Sequence, residues 1–274
     1  MFTKSLFAAV FAGALFFCEH GLAHEMWLQP QNFQIAADEM IDVDIIVGED
    51  FAGTSYGFSP NNFRRLEVSK DGDRKDVGSE VGAKPAVSEV PFGPGLHVVT
   101  YQSANLVTSY STVERFGRFL ESKGLGEFTA KHEALNLEPG RFREVYSRYA
   151  KSLIAVDGGE GQDNSQNLTV EFTALANPYT DDLKDGLNFS LTKFGEPWSD
   201  QQVLVLEKPT GADAASRSLK IKTDGDGQLT IDVKPGHTYL LDVVHIRRPS
   251  EELAASLNAV WETLWASITF EVPE

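Results

Sequence analysis

The chain has 274 residues, of which 42% are hydrophobic, and its formal net charge at pH 7 is −16. Such an acidic chain repels nucleic acid and anionic lipid, so we expect neither as a partner, whereas cations would be attracted. Cys18 is the only cysteine, which excludes a framework of disulfide bonds.

Residues 1–23 have the composition of a secretory signal peptide. The apolar run Leu6–Phe17 is about a dozen residues long, too short to span a bilayer, and fits the hydrophobic region of a signal. Gly21 and Ala23 supply the small residues expected before a cleavage site. We therefore expect cleavage after Ala23, a periplasmic location without membrane insertion, and a mature chain that begins at His24.

Most of residues 24–110 alternate between apolar and polar residues, as strands do. Ile41, Val43 and Ile45 fall on one face of a predicted strand, and acidic residues fall on the other. Residues 63–77 read as two strands joined by an Asp-Gly turn, and residues 96–102 read as a further strand after a Gly/Pro turn. This half of the chain is predicted to be β-rich.

The middle of the chain changes to a helical pattern. Residues 111–114 have capping-box spacing, apolar residues then recur at helical intervals, and Gly124 is a plausible stop. Residues 127–135 predict a second short helix. The segment from Gly140 is predicted to begin helical and to become a strand by Leu153, which gives a helical insertion at about residues 111–148.

The second half of the chain predicts a separate β-domain. Residues 157–167 are polar and glycine-rich, as loops and linkers are. Seven short strands spaced by turn residues follow in residues 168–274, a pattern typical of a small β-sandwich. The predicted fold is mainly β, with two transthyretin- or immunoglobulin-like β-sandwich domains at residues 24–160 and 168–274, the first carrying the helical insertion.

Histidines give the main chemical hypothesis. A terminal His24 would offer its α-amine and its imidazole as two nitrogen ligands, and a second histidine would complete a site for Cu, Ni or Zn. His245, on the predicted strand 238–246, is the natural partner, although its strand face could also be buried. His97, at the start of a strand, is the third candidate ligand. We therefore predict a metal site of His24, His245 and His97.

A cluster of basic residues stands out on this acidic chain. It comprises Arg141, Arg143, Arg148 and Lys151. We expect these residues to form ion pairs with Glu144 and neighbouring acids, and a partner-docking surface is the alternative. No nucleophile elbow, phosphate-binding loop, metalloprotease motif or dinucleotide fingerprint is present, so we do not predict an enzyme.

Four segments together resemble a known family. They are AHEMWLQP (23–30), GRFREVYSRYAKSLIAV (140–156), TDGDGQLTIDVKPGHTYLLDVVHI (223–246) and WETLWASITFEV (261–272). They resemble the bacterial domain-of-unknown-function family 4198, often labelled NikM-like, the periplasmic component of a nickel or cobalt uptake system. The resemblance implies a transthyretin-like second half, a histidine near the N-terminus at His24 and a strand histidine at His245, while His97 has no motif support.

Three functions stay open at this stage. The first is a periplasmic protein that binds Ni, Co, Zn or Cu and passes the ion to an inner-membrane transporter. The second is a non-catalytic envelope-interaction or carbohydrate-binding β-sandwich protein. The third is a copper-dependent oxidase with a histidine brace, in which Trp27 or Trp261 would form a flat aromatic surface for a polysaccharide.

Overall fold

The computed structural model describes residues 24–138, 140–211 and 215–274. The predicted signal peptide and its cleavage site lie outside these residues. The strands are β1 (Glu25–Pro30), β2 (Gln34–Ile35), β3 (Ile41–Glu49), β4 (Ala52–Tyr56), β5 (Phe63–Lys70), β6 (Asp73–Asp76), β7 (Val87–Glu89), β8 (Gly95–Ser103), β9 (Leu106–Tyr110), β10 (Phe142–Val156), β11 (Val170–Ala174), β12 (Leu187–Lys193), β13 (Glu196–Pro197), β14 (Gln202–Pro209), β15 (Arg217–Lys222), β16 (Gln228–Ile231), β17 (His237–Arg247) and β18 (Trp261–Val272). The helices are α1 (Val113–Ser122), α2 (Glu127–Glu133) and α3 (Glu251–Leu257). The mainly β prediction is confirmed.

The strands form three sheets. Sheet A contains β1, β3, β4 and β7, and sheet C contains β11, β12, β13 and β16. Sheet B has ten strands, ordered β15-β14-β17-β18-β10-β8-β5-β6, with β2 and β9 also paired to β10. The pairing of β10 with β18 is parallel, whereas β17 and β18 form a long antiparallel pair. Sheet B therefore runs through both halves of the chain.

Sheet B lies between sheets A and C, because alternate side chains of β10 and β17 enter different cores. Tyr149 and Leu153 of β10 pack with residues of sheet C. Ala150 and Ile154 pack with residues of sheet A. On β17, odd-numbered residues such as Leu241 face sheet C. The even-numbered residues face sheet A and the helices instead. The period of two along each strand thus separates the two cores.

The helical insertion is shorter than the sequence predicts. Helix α1 starts one residue later than the capping pattern indicates, because Thr112 is the N-cap: its side chain accepts a hydrogen bond from the backbone N–H of Arg115 at 3.3 Å. The segment from Phe142, expected to begin helical, is β-strand throughout. Its first residues pair with β9 on one side and with β18 on the other, so two ladders of hydrogen bonds hold it extended. No helix in the described part of the chain is long and apolar enough to cross a bilayer.

Candidate functional site

His24 lies at the entry to β1, opposite the end of β3. Glu25 pairs with Gly48 in the antiparallel register, so Glu49 follows at the position across from His24. The distance from His24 Nε2 to Glu49 Oε1 is 3.7 Å, and both side chains remain partly exposed. The backbone carbonyl of His24 accepts a hydrogen bond from Arg148 Nη2 at 3.0 Å. The start of β1 is therefore fixed by β3 on one side and by β10 on another.

A tight turn after β3 holds Glu49 in place. Asp50 and Phe51 both have positive φ, as the two central residues of a type I′ hairpin do. Gly48 is required beside this turn, because a Cβ there would lie 2.0 Å from the carbonyl oxygen of Ala52. The backbone of the turn thus fixes the carboxylate that faces His24.

A buried lysine is bonded to Glu25, the residue that follows His24. Lys123, the residue that caps the end of α1, donates to Glu25 Oε1 at 2.6 Å and to Asp242 Oδ2 at 2.9 Å. Burial alone would lower the pKa of Lys123, but Asp242 and Glu25 raise it above its ordinary value, so the lysine stays charged. This triad connects β1, α1 and β17 at one point.

Trp265 separates two cations in the same region. Lys123 Nζ lies 4.9 Å from the centre of its ring, and the Arg148 guanidinium carbon lies 5.2 Å from it. The indole N–H donates to Thr263 Oγ1 at 3.0 Å, which fixes the ring. Cation–π attraction stabilises both positive charges where water is scarce. We call His24, Glu25, Glu49, Lys123 and Arg148 the His24 site.

Two cavities flank the His24 site. The first, of about 360 Å³, is lined by charged residues that include Glu25, Glu49 and Lys123. The second, of about 290 Å³, is lined mainly by apolar and aromatic residues, with Arg148 in its wall. The start of β1 therefore separates a charged cavity from an apolar one.

The structure does not bring His245 to His24. The His245 ring makes edge contacts with Trp198, at 5.3 Å between ring centres, and with Phe194, at 6.3 Å. These contacts place His245 on the face of sheet B that packs against sheet C. The strand that carries His24 packs on the opposite face. Burial, with Lys193 and Arg247 nearby, lowers the pKa of His245 to about 4, so the ring is neutral at pH 7.

His97 is a core residue with both ring nitrogens engaged. Its Nε2 accepts the backbone N–H of Phe92 at 3.0 Å, and its Nδ1 is 3.1 Å from the carbonyl oxygen of Gly95. The first bond requires a lone pair on Nε2, so the proton is on Nδ1 and is donated to Gly95. Burial is the largest cause of its lowered pKa. His97 has no lone pair left for an ion in this arrangement.

No group of three or more His, Cys, Asp or Glu residues suited to a metal forms within the described ranges. The three predicted histidines thus lie in separate parts of the fold. Of these three, His24 is the one whose ring faces a carboxylate at the surface. Glu49, Lys123 and Asp242 could not be predicted as site residues from the sequence, because strand register and a long-range helix contact bring them there. The antiparallel pairing of residues 25–30 with 43–48 is the signal that points to Glu49.

The basic cluster and the tryptophans have structural roles that the sequence indicated only in part. Lys151 forms the expected ion pairs, with Asp163 and Glu171, but Arg148 forms none with a carboxylate among the described residues. All four tryptophans are buried: Trp27, Trp198, Trp261 and Trp265. None of them presents the flat exposed ring that a polysaccharide-binding surface requires.

The fold and the site define a three-layer β-protein with a histidine at the start of its first described strand. Residues 22–247 match the family described as Domain of unknown function (DUF4198). The chain belongs to this family, so the predicted family is confirmed. Three of the four segments lie within the matched residues, and residues 261–272 lie beyond them. A comparison with curated proteins gave no match.

Proposed function

We propose that the mature protein binds a divalent transition-metal ion in the periplasm through His24. The α-amine released by cleavage after Ala23 and the imidazole Nδ1 would together close a six-membered chelate ring. The ion is Ni, Co, Zn or Cu, because nitrogen ligands suit all four. The protein would then pass the ion to an inner-membrane transporter, which is the role that the NikM-like resemblance suggests.

The position of Glu49 carries this proposal. Nδ1 is the imidazole nitrogen that can reach an ion bound to the amine of the same residue, and Nε2 is the one that faces Glu49. Histidine ligands commonly direct their second ring N–H to a carboxylate, which orients the ring and increases the basicity of the ligating nitrogen. In this proposal Glu49 orients His24, and His245 and His97 take no part.

The decisive experiment compares two versions of the mature chain, one beginning at His24 and one with an extra methionine before it. Calorimetric titration with Cu²⁺, Ni²⁺, Co²⁺ and Zn²⁺ should give a Kd of about 1 μM or tighter for at least one ion with the first version. The extra methionine converts the amine into an amide, so we expect at least tenfold weaker binding. Equal affinity of the two versions, or no binding at micromolar concentrations, would contradict the proposal.

Two substitutions test the assigned roles. Glu49→Gln removes the orienting carboxylate and should weaken metal binding by about tenfold, the lower end of the effect of removing a hydrogen-bond partner of a metal-binding histidine. His245→Ala is the matched control, because His245 lies on the other face of sheet B, and it should leave the Kd unchanged. A loss of binding in His245→Ala with retention in Glu49→Gln would reverse the assignment.

A further inference from the structure

The cavity of about 290 Å³ is lined by apolar residues together with a few polar ones. Met26, Phe63 and Leu106 are among the apolar residues that line it. Tyr101, Tyr146 and Arg148 also line it, and the Tyr101 hydroxyl donates to the carbonyl oxygen of Asn62 at 3.1 Å. A concave, mainly apolar site with a few converging polar groups is the usual form of a small-molecule binding site.

Arg148 is the cation that lines this cavity, and no carboxylate of the described residues forms a close ion pair with it. Its Nη2 donates to the carbonyl oxygen of His24, while its Nη1 is buried and has no hydrogen-bond partner. The Tyr146 and Trp265 rings lie near its guanidinium carbon, at 5.4 and 5.2 Å from their centres. Aromatic rings attract a cation, but they accept none of its remaining N–H bonds in the way a carboxylate does.

The neighbouring acids attract Arg148 but accept no hydrogen bond from it. Glu25 and Asp242 both accept hydrogen bonds from Lys123. Glu144, on the same strand as Arg148, accepts the hydroxyl of Thr263. A buried guanidinium nitrogen whose N–H groups lack an acceptor is costly, so Arg148 is complementary to the oxygen atoms of an anion.

We propose that this cavity binds a small organic carboxylate, with the carboxylate at Arg148 and the apolar or aromatic body against Met26, Phe63 and Leu106. A planar guanidinium pairs with a carboxylate through two parallel N–H···O bonds, which fixes the orientation of the ligand. The cavity of about 290 Å³ has room for a body such as a single ring or a short alkyl chain. This proposal is independent of metal binding at His24.

Nuclear magnetic resonance of the ¹⁵N-labelled mature protein tests the proposal with phenylacetate and hexanoate as probes. We expect at least one of them to shift the Nε–Hε resonance of Arg148 with a Kd below about 1 mM, and the corresponding neutral amides to bind at least tenfold more weakly. Phosphate should compete poorly, because it has no apolar body. Equal binding of acid and amide, equal binding of phosphate, or no shift with either acid at 10-fold the expected Kd would overturn the proposal.

Two variants locate the binding. Arg148→Gln should weaken binding of the acid at least tenfold while leaving the weak binding of the amide unchanged. Because Arg148 also holds the His24 carbonyl, Ser59→Phe serves as a second variant: Ser59 lines the cavity, and a phenyl ring there should occupy the space of the ligand. Ser59→Phe keeps Arg148, so retained affinity in a folded Ser59→Phe protein would show that the acid binds elsewhere.

Discussion

Glu144 is a carboxyl group enclosed between β10 and β18. Its side chain accepts the hydroxyl of Thr263, it is 2% exposed, and its second oxygen, Oε2, is buried without a partner. Burial raises the pKa of Glu144 to about 7, although Thr263 and Tyr110 act in the opposite direction. The folded chain therefore holds this proton more tightly than the unfolded chain does.

The raised pKa predicts a stability that falls with increasing pH. The contribution of Glu144 is complete below about pH 4.5 and is lost as the pH rises through 7, by about 3 kcal/mol in total. Glu144→Gln cannot ionise and should remove most of this loss. Urea unfolding at pH 5 and pH 8 measures it, with the exposed Glu127→Gln as the control that keeps the wild-type dependence. The same pH dependence in Glu144→Gln and the wild type would show that Glu144 is not the group responsible.

At the residue scale, the sequence predicts which residues have chemically useful side chains better than it predicts their burial and their hydrogen-bond partners. His24 stands out because of its position after Ala23, which a local pattern reveals. His132 lies on the second short helix, where no local pattern indicates burial, yet it is buried and its Nδ1 accepts the indole N–H of Trp261 at 2.9 Å. That partner is 129 positions away in the sequence. A local sequence pattern cannot reveal a contact between residues so far apart in the chain.

At the scale of elements, the buried triad fixes the helical insertion to the sheets. Lys123 Nζ is 2.6 Å from Glu25 on β1 and 2.9 Å from Asp242 on β17. All three side chains are buried, so their mutual attraction is little weakened by water. Removing the lysine leaves the buried carboxylates of Glu25 and Asp242 close together without the cation that pairs with both.

We therefore predict that Lys123→Met destabilises the protein strongly. The expected loss is about 3 to 5 kcal/mol in the free energy of unfolding, as for other buried ion pairs that lose one partner. Adding Glu25→Gln and Asp242→Asn to Lys123→Met should restore most of it, because the uncompensated charges are then gone. The exposed Lys131→Met is the control and should change stability by less than about 0.5 kcal/mol. A small effect of Lys123→Met in urea unfolding would contradict this account.

The sequence predicts isolated strands more reliably than it predicts where a helix ends and a strand begins. Ile41, Val43 and Ile45 are buried on β3 as their alternation predicts. The first part of β10 was misread because Phe142, Val145 and Tyr149 recur at intervals that also fit a helix. The pairing of β10 with β9 and β18 decides its conformation. Both of these strands are far from β10 in the sequence, so no local pattern reveals the pairing.

At the scale of the whole molecule, β10 joins the two halves of the chain. It pairs with β8 and β9 from the first half and with β18 from the second. The core under sheet C includes Leu96 and Val98 together with Phe189 and Leu241. The division into domains at residues 24–160 and 168–274 stays a prediction, and the continuity of sheet B indicates that the halves stabilise each other.

This shared sheet predicts a single unfolding transition, in which the calorimetric and van't Hoff enthalpies agree. Leu28 in sheet A and Leu187 in sheet C are both 0% exposed, so Leu28→Ala and Leu187→Ala are matched probes of the two outer layers. Each should lower the same Tm by about 5 to 10 °C, since a buried leucine truncated to alanine costs about 2 to 5 kcal/mol. Exposed Leu219→Ala is the control and should leave Tm nearly unchanged. Two resolved transitions, each lowered by only one of the buried substitutions, would instead establish that the two halves fold independently. In that case one outer layer unfolds alone, and the packing that it loses has no effect on the other layer through sheet B.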